Sequence, residues 1–256
     1  MSFLIHRRKA FRGDPNNPGT GDLLHWWNLN NKSVADSGDG LWDQEGSMHL
    51  TNVSCTDSSG TGPDGADTVA MTSTQYLETA SDEKFFGGAG GAAGGTEFSM
   101  AIWAQADSVS STGNWVINWR GGTEKLGQIT ISNKTPDDDV RGAAWDSVAE
   151  GGDFVWAKET VDPGTDWHHY VMTVGGTNAK MYVDGVEEGA DTNVDLGDLE
   201  TLAMPFAIGT AAWFPIGTNT KHVGEVWMGS VWKKALSADE VSWLYKDGSG
   251  RAYSEL

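Results

Sequence analysis

Residues 98–105 read Phe-Ser-Met-Ala-Ile-Trp-Ala-Gln, and this alternation constrains the fold more than any other feature of the chain. Successive side chains of a strand point to opposite faces, so Phe98, Met100, Ile102 and Ala104 share one face and Ser99, Ala101, Trp103 and Gln105 the other. Such a segment belongs in a sheet with two unlike faces. Runs of similar length recur as NWVINW (114–119), LGQITIS (126–132), VRGAAW (140–145) and DFVWA (153–157). DWHHYVMTV (166–174) and AKMYVDG (179–185) are separated by Gly175-Gly176-Thr177-Asn178, a hairpin signal, and Asp184-Gly185 marks a second turn. Many short strands at this spacing predict an all-β sandwich or barrel, and 34 Gly in 256 residues supply the turns between them. The glycine-rich run at 87–95 lacks the Lys-Ser/Thr ending of a phosphate loop and reads as a connection between strands.

One helix is expected. Ser237-Ala238-Asp239-Glu240 has the spacing of a capping box, and Val241, Leu244 and Tyr245 then form an apolar stripe that should close the sandwich. The division expected from composition is an N-terminal arm over residues 1–21 and one domain over 22–256.

The formal charge is −19, yet Arg7, Arg8, Lys9 and Arg12 fall in the first twelve residues, which hold no acid. That leaves 13 basic residues against 36 acidic ones, so residues 13–256 carry −23. A body this acidic repels phosphate, which argues against nucleic acid as the domain's partner. The single Cys55 rules out an internal disulfide and is expected to be inert. No run approaches the roughly 20 apolar residues that cross a bilayer, and Phe3-Leu4-Ile5 is too short for a signal peptide. No membrane role is expected, and the chain is expected to be made and first kept in the cytoplasm.

Four segments in order, FSMAIWAQ, DWHHYVMTVGGTNAKMYVDG, PFAIGT and VGEVWMGSVWKKALSADEV, resemble the laminin-G-like and pentraxin-like jelly rolls of the concanavalin A-like lectin/glucanase superfamily, and LLHWWNL resembles their first strand. The resemblance spans roughly residues 22–247 and implies a jelly roll with one short C-terminal helix. It also exposes departures. Trp227 and Met228 stand where family members often carry an acidic pair, and the loop Thr210-Ala211-Ala212-Trp213-Phe214, matching the pentraxin-like calcium loop, holds no carboxylate. The Glu-x-Asp-x-x-Glu spacing of the family's glucanases is absent, so no enzyme is expected.

Candidate sites follow from residue type. Trp213 and Phe214, in a predicted loop beside Pro215, are candidates for contact with a sugar ring or a protein partner, and Trp145 and Trp156 are secondary ones. Asp36 and Asp39, together with Asp43 and Glu45, and the triplet Asp137-Asp138-Asp139 could offer oxygens to calcium from loops. The helical calcium-loop pattern does not fit, because its third and fifth positions counted from Asp36 are Gly38 and Gly40, and solvated acidic loops are the simpler reading. No cofactor is required. His168 and His169, as strand neighbours, point to opposite faces and cannot chelate one ion; one is expected to pack inward beside Trp167.

The leading functional expectation is a non-enzymatic structural or adhesive component of a large assembly, a tailed-bacteriophage virion. It would be a capsid decoration or other surface protein, assembled in the host cytoplasm and displayed on the virion surface. Phe3, Arg7, Arg8, Lys9 and Arg12 would anchor the arm to other virion or shell proteins, with the chain a homo-oligomer in the assembly and cell-surface glycans as possible ligands. A free, extracellular lectin module is the alternative, and a glycan hydrolase the remote one.

Overall fold

The structure, a computed structural model, describes residues 14–33, 35–79, 97–107, 114–121, 124–134, 137–144, 165–176, 178–191, 206–210 and 222–256. Two antiparallel sheets face each other. The larger runs β12 (Val186–Asp191), β11 (Asn178–Val183), β10 (His168–Gly175), β6 (Glu97–Ala106), β14 (Gly224–Trp232), β4 (Thr68–Met71), β3 (Thr56–Ser58), with β1 (Leu23–Trp27) also on β14. The smaller runs β2 (Thr51–Val53), β5 (Tyr76–Glu78), β13 (Phe206–Ile208), β7 (Asn114–Gly121), β8 (Glu124–Lys134), β9 (Asp137–Ala144). This is the expected all-β jelly roll. Among the described residues no helix is long and apolar enough to cross a membrane.

The alternation in β6 explains the layering. Phe98, Met100, Ile102 and Ala104 enter the core between the sheets, with Trp27, Tyr170, Met172, Val226 and Phe206. Ala101 and Trp103 lie on the outer face of the larger sheet, in a second apolar cluster with Val171, Tyr182 and Trp232. Gly142 sits where the sheets approach closely: a Cβ there would lie 3.1 Å from Met181 Sδ and 3.2 Å from Met172 Cγ, so β9 could not carry a side chain at that point without displacing both.

Two local expectations are met in detail. Asp184 and Gly185 have φ of 51° and 80°, the paired positive values of the turn that matches strand twist in a two-residue hairpin. Helix α1 (Ala238–Tyr245) begins with a complete capping box between Ser237 and Glu240. Its position, however, corrects one expectation. Val241 and Leu244 do not close the space between the sheets; they cover the second cluster, on Trp103 and Trp232. The larger sheet therefore buries both faces at this end.

The last part of the expected arm, residues 14–18, makes contacts with the rest of the chain. Asn17 Nδ2 donates to the carbonyls of Glu255 and Leu256 at 3.0 and 3.3 Å, and Trp243 Nε1 donates to Asp14 Oδ2 at 3.0 Å. Residues 14–18 of the expected arm are thus tied to the C-terminal segment. The anchor candidates Phe3, Arg7, Arg8, Lys9 and Arg12 lie outside the described residues.

Candidate functional site

The outer face of the larger sheet is covered at one end by α1 and by the C-terminal segment, whose Gly250 lies against Trp227 and Met228: a Cβ there would be 2.8 Å from Trp227 Cζ3. Toward the other end, β14 and β6 run side by side with Glu225 opposite Gln105 and Trp227 opposite Trp103. Val226 enters the inter-sheet core, so Glu225 and Trp227 face outward. Next to Trp227 the register shifts, and Met228 takes φ 41°, a conformation that side-chain-bearing residues adopt rarely. This is a β-bulge, a device that re-aims side chains beside functional surfaces. It sets Trp227 and Met228 both on the outer cluster, with the Trp227 ring centroid 6.0 Å from that of Trp103.

Glu225 is the centre of a hydroxyl network. Ser58 Oγ donates to Oε1 at 3.1 Å, and the hydroxyls of Thr61 and Thr68 donate to Oε2. All three donors come from β3, the following turn and β4, because β4 lies on the edge of β14 opposite β6. Trp167 closes the surface: its indole N–H donates to the Thr61 carbonyl at 2.7 Å, and Gln105 Nε2 donates to the Thr165 carbonyl at 2.7 Å. Trp167 and Trp227 are half-buried, so part of each ring faces solvent.

An ionised carboxylate offers about four acceptor positions, of which the three hydroxyls fill three. The bonds fix its orientation and leave capacity for one more donor. A fixed carboxylate beside partly open indole surfaces suits a polyol, whose hydroxyls can donate to the oxygens while its C–H face lies on an aromatic ring.

Few of the sequence-derived candidates lie in this patch. Trp213, Phe214, Trp145 and Trp156 fall outside the described residues. The backbone of Asp137, Asp138 and Asp139 belongs to β9, in register with Lys134, Asn133 and Ser132, so the triplet is not in a loop as expected. Asp39 Oδ2 accepts from Ser33 Oγ at 2.7 Å and from the Asp36 N–H at 2.9 Å, which ties Ser33 to the 36–39 turn. Those bonds to the Asp36 backbone and Ser33 hold the Asp39 carboxyl below its ordinary range. No group of three or more His, Cys, Asp or Glu able to hold a metal occurs among the described residues.

Asp43 has a different role from its neighbours. Its carboxylate is buried, contacts His25 Nδ1 at 2.7 Å and accepts the backbone N–H groups of Trp26, Gly46 and Met48 at 3.1, 3.0 and 2.9 Å. Burial raises its pKa, but the hydrogen bond and charge of His25 and the N–H donors outweigh that and lower it.

The histidine pair separates as expected. His169 is buried against Trp103, its cross-strand partner, in the outer cluster on which Trp167 also packs. His168 contacts Asp184 at 2.7 Å through Nδ1. Cys55 is buried, and burial pushes its thiol up to about 12, which makes it inert.

Glu225 was missed by sequence reading. The signal was present: a lone acid between Gly224 and Val226 in an otherwise apolar strand must face outward.

A family model described as the concanavalin A-like lectin/glucanases superfamily matches residues 72–242. Among curated proteins none matches in sequence. Domain 4 of AbnA, an extracellular GH43 arabinanase from Geobacillus stearothermophilus solved in complex with arabinotriose, is similar at TM-score 0.60 and 14% identity over 86% of this chain and 97% of that one. The binding domain of botulinum neurotoxin serotype D gives TM-score 0.64 and 14% identity over 88% of this chain. That of Paraclostridial Mosquitocidal Protein 1 gives 0.62 and 12% over 88%. The chain spans about half of each toxin chain, 50% and 52%. At these identities the likeness establishes the fold.

Proposed function

The chain belongs to the concanavalin A-like lectin/glucanases superfamily, and from that premise we propose that it is a non-enzymatic, lectin-like domain whose sheet face around Glu225 receives a glycan. The observation that carries the reading is the carboxylate itself, oriented by Ser58, Thr61 and Thr68 and flanked by half-buried Trp227 and Trp167. The arabinotriose complex of a domain with this fold supports the ligand class. The non-enzymatic part rests on chemistry: glycoside hydrolysis uses two carboxyl groups roughly 5–10 Å apart, whereas β14 contributes one acid and bonds it to three hydroxyls. Trp213, Phe214, Trp145 and Trp156 are proposed as further contacts to the glycan. No cofactor is required; calcium is an optional ligand of the acidic segments, checked by repeating the binding measurement with a chelator.

A glycan array followed by calorimetry tests the reading. Glu225→Gln and Trp213→Ala should each weaken binding about tenfold, the equivalent of roughly 1.4 kcal/mol. Flat curves across a broad array would sink it, and released sugar would move the protein to the hydrolases.

A second reading is favoured by the arm. Its charge is opposite to that of the body, and the segment after it is fastened at Asp14 and Asn17. On this basis the domain is proposed to be displayed by a large assembly, a tailed-phage virion put together in the host cytoplasm. The basic arm would engage shell proteins, and copies of the chain would sit together on the virion surface. Density-gradient sedimentation of a gentle lysate decides this: migration with megadalton particles supports it, and recovery near 27.4 kDa rejects it.

A further inference from the structure

Strand β12 ends the larger sheet. It pairs with β11 on one side, and among the described residues no strand lies on its other side. An edge of this kind presents a row of backbone donors and acceptors that another strand can use. Val186, at 58% exposure, is the exposed large hydrophobic residue identified among the described residues, and it begins this strand. Glu187 and Glu188 follow it, and residues 184–200 carry seven acids and no Lys or Arg. The register shifts at Glu188, so the edge is bulged as well as acidic. Bulges and like charge exclude most strands, and the one they admit is basic.

The chain contains such a strand. Residues 3–12, Phe-Leu-Ile-His-Arg-Arg-Lys-Ala-Phe-Arg, have four basic residues, no acid, and apolar residues enough to face Val186. Their tether lies nearby. Asp14 is bonded to Trp243 of α1, and the neighbouring residues of that helix abut the turn that starts β12: a Cβ at Gly185 would lie 3.2 Å from Tyr245 Cδ1 and 3.4 Å from Ser242 Cα. At about 3.3 Å per residue, ten extended residues reach roughly 33 Å, more than the six residues of β12 require. A short tether gives the arm an effective concentration on the order of millimolar at this edge.

We propose that β12 is the docking edge for the chain's own basic arm, with residues 3–12 adding as a further strand beside Val186–Asp191. This goes beyond the assembly reading and does not depend on it: the arm would be stored on the domain and exchanged for a shell partner only when one is present.

Hydrogen exchange read by mass spectrometry on the full chain tests this at low salt. Edge amides of 186–191 should exchange at least tenfold more slowly in the unaltered protein than in Arg7→Glu/Arg8→Glu/Lys9→Glu, which leaves every described contact untouched. Glu188→Lys should give the same loss, and joining it to the arm reversal should restore protection. Equal exchange in all proteins overturns the proposal. Protection that grows with protein concentration, with a dimer in light scattering, overturns it in favour of an arm supplied by a second copy.

Discussion

The imidazole of His169 lies against the indole of Trp103, ring centroids 5.0 Å apart and 26° from parallel, on β10 and β6 where the two residues are direct cross-strand partners. Tyr245 of α1 approaches from above at 6.4 Å, and His169 Nδ1 is buried with no hydrogen-bond partner. Burial drives the His169 pKa down to about 4, against the opposing pull of Asp184, and burial does the same to His222. Both rings are therefore neutral in the folded protein.

A pH dependence follows. An unfolded histidine takes up its proton near 6.5, whereas these two resist it until about 4, so between those values the unfolded state binds more protons. Stability is complete above 6.5 and falls as pH drops toward 4, by as much as roughly 3 kcal/mol for each ring. Urea unfolding at pH 7, 6 and 5 should show midpoints declining in that order, and His169→Phe should flatten the decline. A midpoint constant from pH 7 to 5 would refute the assignment.

Asp43 predicts a large and local effect. Replacing it with Asn keeps the shape but puts an NH2 donor in place of one oxygen, facing either the Trp26 and Gly46 N–H groups at Oδ1 or His25 and the Met48 N–H at Oδ2, all of which need an acceptor. Breaking a buried pair of this kind costs roughly 3–5 kcal/mol. Asp43→Asn should therefore lower Tm by on the order of 10 °C. By contrast Asp36→Asn, whose side chain is exposed, should change Tm by no more than about 2 °C. Similar losses for the two would mean that Asp43 does not hold the 43–48 loop.

The contrast between Asp36, Asp39 and Asp43 indicates what the sequence could convey. Strands were legible wherever a period of two met a turn of known chemistry, as in β6, β10 and the Asp184-Gly185 hairpin, because alternation and positive φ are local properties. The capping box was legible for the same reason. Long-range partners were not. Nothing near Asp43 in sequence announces that His25, eighteen residues earlier, will lie 2.7 Å away. The three hydroxyls that fix Glu225 lie 157 to 167 residues before it. The covering of the outer sheet face by α1 also depended on topology: an amphipathic helix states that it buries one side, not which surface receives it.

Ser237 offers a test of that helix's contribution. Its Oγ accepts the Glu240 N–H while Glu240 Oε2 accepts the Ser237 N–H, and the same Glu240 pairs with Lys234 at 2.6 Å. Ser237→Ala removes both bonds of the hydroxyl, the one accepted from the Glu240 N–H and the one donated to Glu240 Oε2, and should cost about 1 kcal/mol, a fall in Tm of roughly 2–4 °C. Ser237→Asp, which keeps an acceptor, should recover most of the loss. A full-size loss in Ser237→Asp would point to some other role for the hydroxyl.

Two truncations separate the contribution of residues 1–13 from that of the segment that follows. Removal of residues 1–13 spares every described contact and takes away only the strand proposed on β12, so the shortened domain should unfold a few degrees below the whole chain at low salt and within about 1–2 °C of it at high salt, where the charge attraction is screened. Removal of residues 1–19 takes away the acceptor for Trp243 Nε1 and both bonds from Asn17 to Glu255 and Leu256. Trp243 would then keep Arg251, whose guanidinium lies 4.3 Å over its ring, and its packing on the outer cluster. Each lost bond contributes about 1 kcal/mol, so this truncation should lower Tm by several degrees and expose Trp243 to quenching by acrylamide. If both truncations behave alike, residues 14–19 contribute nothing to the C-terminal segment, and the boundary read from composition at residue 21 stands.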